Sequence, residues 1–223
     1  IDLDYGVSEV IGDRAYHRDP EVVSRLAVAC MQGMRTGGMA ATAKHFPGHG
    51  AVVADSHKAL PIDRRPLTEL TDELLPYRRM IANGLTSVMV AHVLFPEVDE
   101  APAGFSARWI QQELRWGLGF TGAVFSDDLS MGGAAFAGTV PERARRAIEA
   151  GCDLLPICND RPAVLATLTE LEGAADPLSQ VRLVRLHGRP MPAREQLRKT
   201  AQWAECQRAI DHCREAPSLQ LNA

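Results

Sequence analysis

Apolar and polar residues along the chain form blocks that predict helices and strands in alternation. Residues 19–36 show apolar positions at helical spacing, Asp19 can cap this helix, and Pro20 suits its first turn. Short apolar runs between turn residues predict strands near 39–43, 86–91, 122–126 and 152–157. Further helices are predicted near 67–83, 107–116 and 141–150, followed by a helical region from about 160 with a long amphipathic stretch near 192–215.

This alternation of apolar strands with helices indicates a parallel sheet covered by helices. Polar side chains gather where the predicted strands end, namely Lys44 and His45, His92, Asp127 and Asp128, and Asn159 and Asp160. In a (β/α)8 barrel this edge carries the active site. A doubly wound sheet places its ligands by a similar rule, so the pattern alone leaves both folds open.

The densest group of titratable side chains lies between residues 42 and 57. Glycine and proline keep most of this stretch out of helices and central strands, so we predict a loop that follows a buried strand. Its candidate site residues are Lys44, His45, His49, Asp55 and His57. Titratable side chains gathered on such a loop are typical of a functional site.

Within this loop, Asp55 and His57 are spaced so that the carboxylate can hydrogen-bond the imidazole and fix its tautomer. The second ring nitrogen is then available for proton transfer. The alternative interpretation is an Asx turn beside a solvated histidine.

A zinc site is a further alternative, formed by His45, His49, Asp55 and His57. The spacing of this set matches no zinc motif, and Lys44 would repel a cation. We therefore predict no metal.

Two acidic residues, Asp127 and Asp128, follow the predicted strand that ends at Ser126. A carboxylate there can act as a nucleophile, a base or a metal ligand, and the alternative is a helix cap. We predict a division of labour in which one acid faces the site and the other caps or pairs. Arg14 lies in a polar loop, where it can bind a substrate oxygen or form a surface ion pair.

The composition narrows the classes of function. The chain of 223 residues has 46% hydrophobic and 23% charged residues, which is typical of a globular protein. Its net charge of −4 disfavours nucleic-acid binding, and no apolar run approaches the roughly 20 residues of a membrane span. The five cysteines show no C-x-x-C spacing, so we expect free thiols in a reducing cytoplasm.

Several motifs occur together along the first 160 residues. The longest are Lys-His-Phe-Pro-Gly-His-Gly at 44–50, Asp-Ser-His at 55–57 and Gly-Ala-Val-Phe-Ser-Asp-Asp-Leu-Ser-Met at 122–131. Shorter ones are Asp-Leu-Asp at 2–4, Val-Ile-Gly-Asp-Arg at 10–14 and Pro-Ala-Gly-Phe-Ser at 102–106. In these motifs the chain resembles the bacterial β-N-acetylhexosaminidases of glycoside hydrolase family 3.

The resemblance implies an exo-acting β-N-acetylglucosaminidase that removes terminal, non-reducing β-linked N-acetylglucosamine from muropeptides during peptidoglycan recycling. It implies a retaining mechanism and a single catalytic domain over residues 1–223 with the fold of a (β/α)8 barrel. It also implies a monomer in the bacterial cytoplasm that uses no cofactor and no metal. The expected partner is the carbohydrate substrate, with no nucleic acid and no membrane.

The same resemblance assigns roles to individual residues. It makes Asp127 the nucleophile, with Asp128 as the alternative by chemistry. It makes His57 the acid/base and Asp55 the residue that orients it. The expected sugar-binding residues are Arg14, Lys44 and His45.

Two alternatives to this function are a related family 3 β-glycosidase and an inactive sugar-binding fragment. A complete barrel needs about 250 residues. We expect this chain to begin near the third strand of the family barrel, without about the first third of its length. Because an open barrel exposes strand edges and apolar surface, we expect low stability and weak activity.

Overall fold

In the computed structural model, which describes residues 1–174 and 176–214, the chain folds into two compact units. The first unit ends at Gly188 and the second begins at Arg189. The first contains one parallel sheet of three strands in the order β1 (Thr42–Phe46), β2 (Ser87–Val90) and β3 (Ala123–Ser126). The prediction of an α/β fold with a parallel sheet is confirmed.

Helices precede, connect and follow the strands. In the first unit they are α1 (Pro20–Thr36), α2 (Thr71–Ala82), a π-helical segment (Arg108–Gly117), α3 (Val140–Ala150), α4 (Arg161–Glu170) and α5 (Pro177–Val184). The second unit holds α6 (Arg194–Arg198) and α7 (Ala201–Arg214). Short 3-10 turns occur at Gly12–Arg14, Leu67–Glu69, Ala103–Phe105 and Gly132–Ala137. No helix within the described ranges has the length and apolarity to cross a bilayer.

Local signals explain where the helices on either side of the sheet begin. Asp19 caps α1 by accepting a hydrogen bond of 2.8 Å from the backbone N–H of Glu21. Thr139 and Glu142 form a capping box at the start of α3, in which Glu142 accepts from the backbone N–H of Thr139 at 2.7 Å. Gly151 then ends α3 in the left-handed conformation that glycine adopts without strain.

An aromatic cluster at the centre of the core holds the carboxyl end of β1 in place. The ring of Phe46, the last residue of β1, lies 5.0 Å from Tyr77 of α2 and 5.9 Å from Trp109 of the π-helical segment, measured between ring centroids. The ring of Phe95 also packs on Trp109, with the two ring centroids 5.1 Å apart. All four rings are almost fully buried. The cluster therefore fixes the strand end that carries the polar residues against two helices.

The first strand lies further along the chain than predicted. We predicted it near 39–43, whereas β1 spans Thr42–Phe46. The residue at 39 is exposed, and the strand instead extends through positions that pair with β2, such as Ala43 with Val88. Pairing with a neighbouring strand thus outweighs the apolar run as the determinant of this boundary.

The strand predicted over residues 152–157 is reduced to one bridge between Leu154 and Phe125. Leu154 donates to the carbonyl of Val124, and its own carbonyl accepts from Ser126. Pro156 cannot donate a backbone hydrogen bond, so the ladder stops there.

The amphipathic stretch predicted near 192–215 is not one helix. It divides into α6 and α7, because the hydroxyl of Thr200 accepts a hydrogen bond of 3.1 Å from the backbone N–H of Trp203 and so caps a new helix. Residue 215 lies outside the described residues. The prediction of a helical region after residue 160 is confirmed for the part that is described.

Candidate active site

The carboxyl ends of the three strands lie side by side and present titratable residues at one edge of the sheet. The backbone N–H of Ala91 donates to the carbonyl of Phe46 at 2.8 Å, and that of Asp127 donates to the carbonyl of Val90 at 3.2 Å. These bonds bring the segments that follow β1, β2 and β3 next to each other. The edge predicted to carry the site is therefore formed.

We predicted Lys44 and His45 in the loop that follows the first strand. In the structure both residues lie inside β1. Their side chains alternate across the strand, so Lys44 is exposed and His45 is buried. The ring Nδ1 of His45 lies 2.8 Å from Oδ2 of Asp2, and the second ring nitrogen, Nε2, is not engaged by Asp2. Asp2 thereby orients an imidazole at the end of the sheet.

Asp2 also binds the backbone of this segment. Its carboxylate accepts from the backbone N–H of His45 at 3.2 Å and from that of His49 at 2.8 Å. Burial opposes the charged form, but the hydrogen bonds and charge of His45 hold the pKa of Asp2 well below its ordinary value. Asp2 is therefore a buried anion that organises the glycine- and proline-rich segment.

Asp55 and His57 form the predicted pair. Nδ1 of His57 lies 2.8 Å from Oδ1 of Asp55, and the same oxygen accepts from the backbone N–H of His57 at 2.9 Å. These two hydrogen bonds from His57 hold the pKa of Asp55 below its ordinary value. The side chain of His57 is 62% exposed, so its Nε2 is free to meet a molecule from solvent.

Asp127 and Asp128 differ in their surroundings. Asp127 is buried, and its Oδ1 accepts a hydrogen bond of 2.9 Å from the backbone N–H of Asp128. Asp128 accepts from the backbone and hydroxyl of Ser130 at 2.9 and 2.7 Å and from the backbone N–H of Cys158 at 3.0 Å. Burial opposes ionisation of Asp128, but these donors hold its pKa below the ordinary value. Asp128 is thus the member of the pair that caps a turn.

Two buried histidines lie near Asp127. The negative charge of Asp127 acts on both His49 and His92, although burial dominates and lowers the pKa of each ring. His92 donates from Nε2 to the carbonyl of Asp128 at 3.1 Å and stacks on Phe105, with ring centroids 5.3 Å apart. Sequence analysis placed His92 at a strand end but did not select it as a site residue.

Arg14 and Lys44 line one cavity of about 230 Å³ beside β1, together with Thr42 and Cys30. The guanidinium of Arg14 hydrogen-bonds the carbonyl of Val10 within its own turn. Both cationic side chains are exposed and can reach oxygen atoms of a bound molecule.

A buried carboxylate lies beneath the glycine- and proline-rich segment. Oε1 of Glu73 lies 2.9 Å from Arg65, which also pairs with Asp63 at 2.6 Å. A Cβ added at Gly48 would lie only 2.6 Å from Oε2 of Glu73, so the segment packs directly on this side chain. Burial raises the pKa of Glu73 to about 7, with Arg65 opposing the rise. No pattern local to the sequence indicates this contact.

The residues considered as a zinc set are engaged in separate hydrogen bonds: His45 with Asp2, His49 with Ser56, and His57 with Asp55. Within residues 1–174 and 176–214, no three His, Cys, Asp or Glu side chains are grouped so that they could hold a metal ion.

The family model described as the glycosyl hydrolase family 3 N-terminal domain matches residues 1–184. The chain belongs to glycosyl hydrolase family 3. Membership agrees with the motifs on which the resemblance was based, all of which lie within the matched residues.

Curated relatives align with most of this chain. The β-hexosaminidase of Thioalkalivibrio sulfidiphilus is 47% identical over 222 residues, covering 100% of this chain and 64% of the relative. The β-hexosaminidase of Thiobacillus denitrificans is 51% identical over 208 residues, covering 92% of this chain and 58% of the relative. The chain therefore spans about three fifths of the length of these relatives.

Several solved structures are similar to this fold. NagZ from Neisseria gonorrhoeae in complex with N-trifluoroacetyl-D-glucosamine aligns with a TM-score of 0.83 and 43% identity, over 95% of this chain and 62% of that one. Mycobacterium tuberculosis LpqI aligns with a TM-score of 0.72 and 34% identity, over 85% of this chain and 60% of that one.

Proposed function

We propose that this chain carries the catalytic machinery of an exo-β-N-acetylglucosaminidase with a retaining mechanism. The observation that carries the proposal is the Asp55–His57 pair, joined at 2.8 Å through Nδ1 with the ring exposed. The pair leaves Nε2 of a correctly oriented imidazole open to a leaving group. The β-hexosaminidase relatives and the sugar-bound NagZ support the choice of substrate.

The proposed chemistry divides between two side chains. In the first step an oxygen of Asp127 forms a bond to the anomeric carbon while the bond from that carbon to the leaving oxygen breaks, and Nε2–H of His57 gives its proton to the leaving oxygen. In the second step water attacks the same carbon, displaces Asp127 and passes a proton to His57. Asp55 holds the ring through Nδ1 and stabilises the imidazolium that is present before the first step and restored by the second, whereas between the two steps the ring is the neutral base.

The remaining predicted site residues are proposed to hold the sugar. Arg14 and Lys44 line one cavity, so both can donate to hydroxyl oxygens. His45 is positioned by Asp2 at 2.8 Å and can donate or accept through its other ring nitrogen. The proposed substrate is an N-acetylglucosaminyl muropeptide formed during peptidoglycan recycling, acted on by a monomer in the bacterial cytoplasm.

We further propose that the three-stranded sheet is part of a (β/α)8 barrel and that the chain belongs to one catalytic domain. The parallel order β1-β2-β3 and the similarity to NagZ support this arrangement. The gathering of titratable groups at the carboxyl ends of the strands agrees with the active-site face of such barrels.

The test is release of nitrophenol from 4-nitrophenyl N-acetyl-β-D-glucosaminide by the purified chain. We expect His57→Ala to reduce turnover by about 100- to 10,000-fold, with a smaller loss on a dinitrophenyl substrate whose leaving group needs less protonation. Loss of activity that does not depend on the leaving group would contradict the role of His57 as acid.

The two adjacent acids provide a matched comparison for the nucleophile. We expect Asp127→Asn to abolish turnover, whereas Asp128→Asn should chiefly lower stability, because Asp128 is occupied by Ser130 and Cys158. A 5-fluoro glycosyl fluoride of N-acetylglucosamine should leave a covalent sugar on Asp127, located by mass spectrometry. A label on Asp128 would reverse the assignment.

The alternatives predict different outcomes in the same assays. A family 3 β-glycosidase of another specificity would release nitrophenol faster from the β-glucoside than from the N-acetylglucosaminide. A sugar-binding fragment would bind an N-acetylglucosamine analogue by calorimetry without turnover while circular dichroism shows a folded chain.

A further inference from the structure

The residue between Asp55 and His57 is buried although both of its neighbours are more accessible. Ser56 is 2% exposed, and its hydroxyl lies 2.9 Å from Nε2 of His49, which is 1% exposed. His49 is tied in turn to Asp2, whose carboxylate accepts from its backbone N–H at 2.8 Å. A hydrogen bond thus connects the loop that carries the Asp55–His57 pair to the segment that follows β1.

The same loop is held from its other side by the turn that follows β3. The backbone N–H of Gly132 donates to the carbonyl of His57, and that of Gly133 donates to the carbonyl of Ser56, both at 2.9 Å. A Cβ added at Gly132 would lie 2.5 Å from the carbonyl oxygen of Lys58, and one added at Gly133 would lie 2.8 Å from that of Ser56. The absence of side chains at these glycines allows this close approach.

We propose that the His49–Ser56 hydrogen bond is a latch that positions the Asp55–His57 pair for proton transfer, a role that rests on the proposed function. The latch acts on the loop through its middle residue, so it sets the placement of both neighbours at once. His49 and Ser56 are positioning residues, because they act on the reacting groups through Asp55 and His57.

The burial of His49 fits this role. Burial lowers the pKa of His49, so the ring is neutral at ordinary pH and can share one proton with the serine hydroxyl. Its Nδ1 has no hydrogen-bond partner among the described residues, so the bond to Ser56 is the side-chain contact by which His49 acts on the loop.

The substitutions that test the latch come in matched forms. The amide of glutamine can take the place of Nε2 of the imidazole, whereas that of asparagine reaches only the position of Nδ1. His49→Gln therefore retains the contact with Ser56, and His49→Asn removes it. Ser24→Ala is the control for Ser56→Ala, because Ser24 is another buried serine whose hydroxyl makes a hydrogen bond, here to the carbonyl of Pro20 in α1 at 2.6 Å.

The first readout is hydrogen exchange at the backbone amides of Gly132 and Gly133, which donate hydrogen bonds to the loop. This measurement does not require the chain to be active. We expect Ser56→Ala and His49→Asn to speed exchange at both amides by about tenfold, and Ser24→Ala and His49→Gln to leave it near the wild-type rate. Equal exchange in the asparagine and glutamine variants would overturn the latch, whatever the outcome of the activity assay.

The second readout is steady-state kinetics on the N-acetylglucosaminide. We expect Ser56→Ala and His49→Asn to lower kcat by about 10- to 100-fold with little change in KM, and His49→Gln to recover most of that loss. A rise in KM alone would assign the pair to substrate binding and overturn the proposal. If the wild-type chain lacks turnover, the proposed function fails while the exchange measurement still decides whether the latch holds the loop.

Discussion

At the scale of residues, the candidate site contains several carboxylates whose surroundings differ. Asp2 and Asp128 are saturated by nearby donors, whereas Asp127 accepts one backbone N–H and is otherwise without a side-chain hydrogen bond among the described residues. Asp55 is paired with an exposed imidazole. A carboxylate already occupied by donors is suited to structure, and one without them is available for chemistry.

Sequence reasoning found the residues whose partners are close in the chain. Asp55 and His57 are two positions apart, so the spacing alone predicts their hydrogen bond. Asp2 and His45 meet across 43 positions, and the contact of Glu73 with Gly48 also depends on how α2 packs. No local pattern encodes these contacts, because they form only when separate elements are brought together.

We expect the stability of the chain to depend on Glu73 in a defined pH range. Burial raises the pKa of Glu73 to about 7, above its value in the unfolded chain of about 4.5. Its contribution is therefore fully present below about pH 4.5 and is lost as the pH rises through 7. Relative to Glu73→Gln, the wild-type chain should lose on the order of 2 kcal/mol over this range, as measured by urea unfolding.

The control for this prediction is Glu21→Gln, which removes a glutamate that also pairs with an arginine. Glu21 is exposed and lies 3.0 Å from Arg79. Its substitution should change the free energy of unfolding little at any pH. A Glu73→Gln variant whose stability runs parallel to wild type from pH 5 to 8 would show that Glu73 does not titrate in this range.

At the scale of elements, the sequence predicted those with strong local signals. The cap of α1, the bounds of α3 and the apolar runs of β2 and β3 lie where they were expected, within a residue or two. The boundary of β1 differs from the prediction because its pairing with β2 reaches Phe46. The predicted fourth strand is limited to one bridge before Pro156. Strand ends are set by neighbours in space, which a single sequence does not specify.

The contact between the turn after β3 and the Asp55–His57 loop should be intolerant of any side chain. We expect Gly132→Ala to destabilise the chain by about 1–3 kcal/mol, because the new Cβ would lie 2.5 Å from a backbone oxygen of Lys58. Thermal or urea unfolding measures this loss.

Gly33 gives the matched control, since it lies in the interior of α1 and an added Cβ would meet nothing within 4 Å. Gly33→Ala should stabilise the chain by about 1 kcal/mol through helix propensity. If both variants shifted stability in the same direction, the close approach at Gly132 would not be a constraint.

At the scale of the whole molecule, two buried histidines at the edge of the sheet make the free energy of unfolding depend on pH. Burial lowers the pKa of His49 and His92, so both rings are neutral in the fold and must gain a proton when the chain unfolds below about pH 6.5. A histidine with a lowered pKa contributes stability that is present above that pH and is lost as the pH falls.

We expect this dependence to be visible as a difference between variants. Between pH 7 and 5, the free energy of unfolding of wild type should fall relative to that of His92→Gln by up to about 1.4 kcal/mol per pH unit. The variants must be compared with wild type because the titration of Glu73 changes the free energy of unfolding in the opposite direction over the same pH range. His187→Gln, at an exposed histidine, controls for the loss of one imidazole, and a His92→Gln profile that matches it would contradict the prediction.

The anchoring of the Asp55–His57 loop has a consequence for the time that ligands stay bound. Three hydrogen bonds hold the loop, from the His49–Ser56 pair and from the amides of Gly132 and Gly133. If each contributes about 1 kcal/mol, the population of molecules with the loop detached is about a hundred times smaller than it would be without these bonds. A ligand whose release required the loop to detach would therefore have a residence time longer by about the same factor of a hundred.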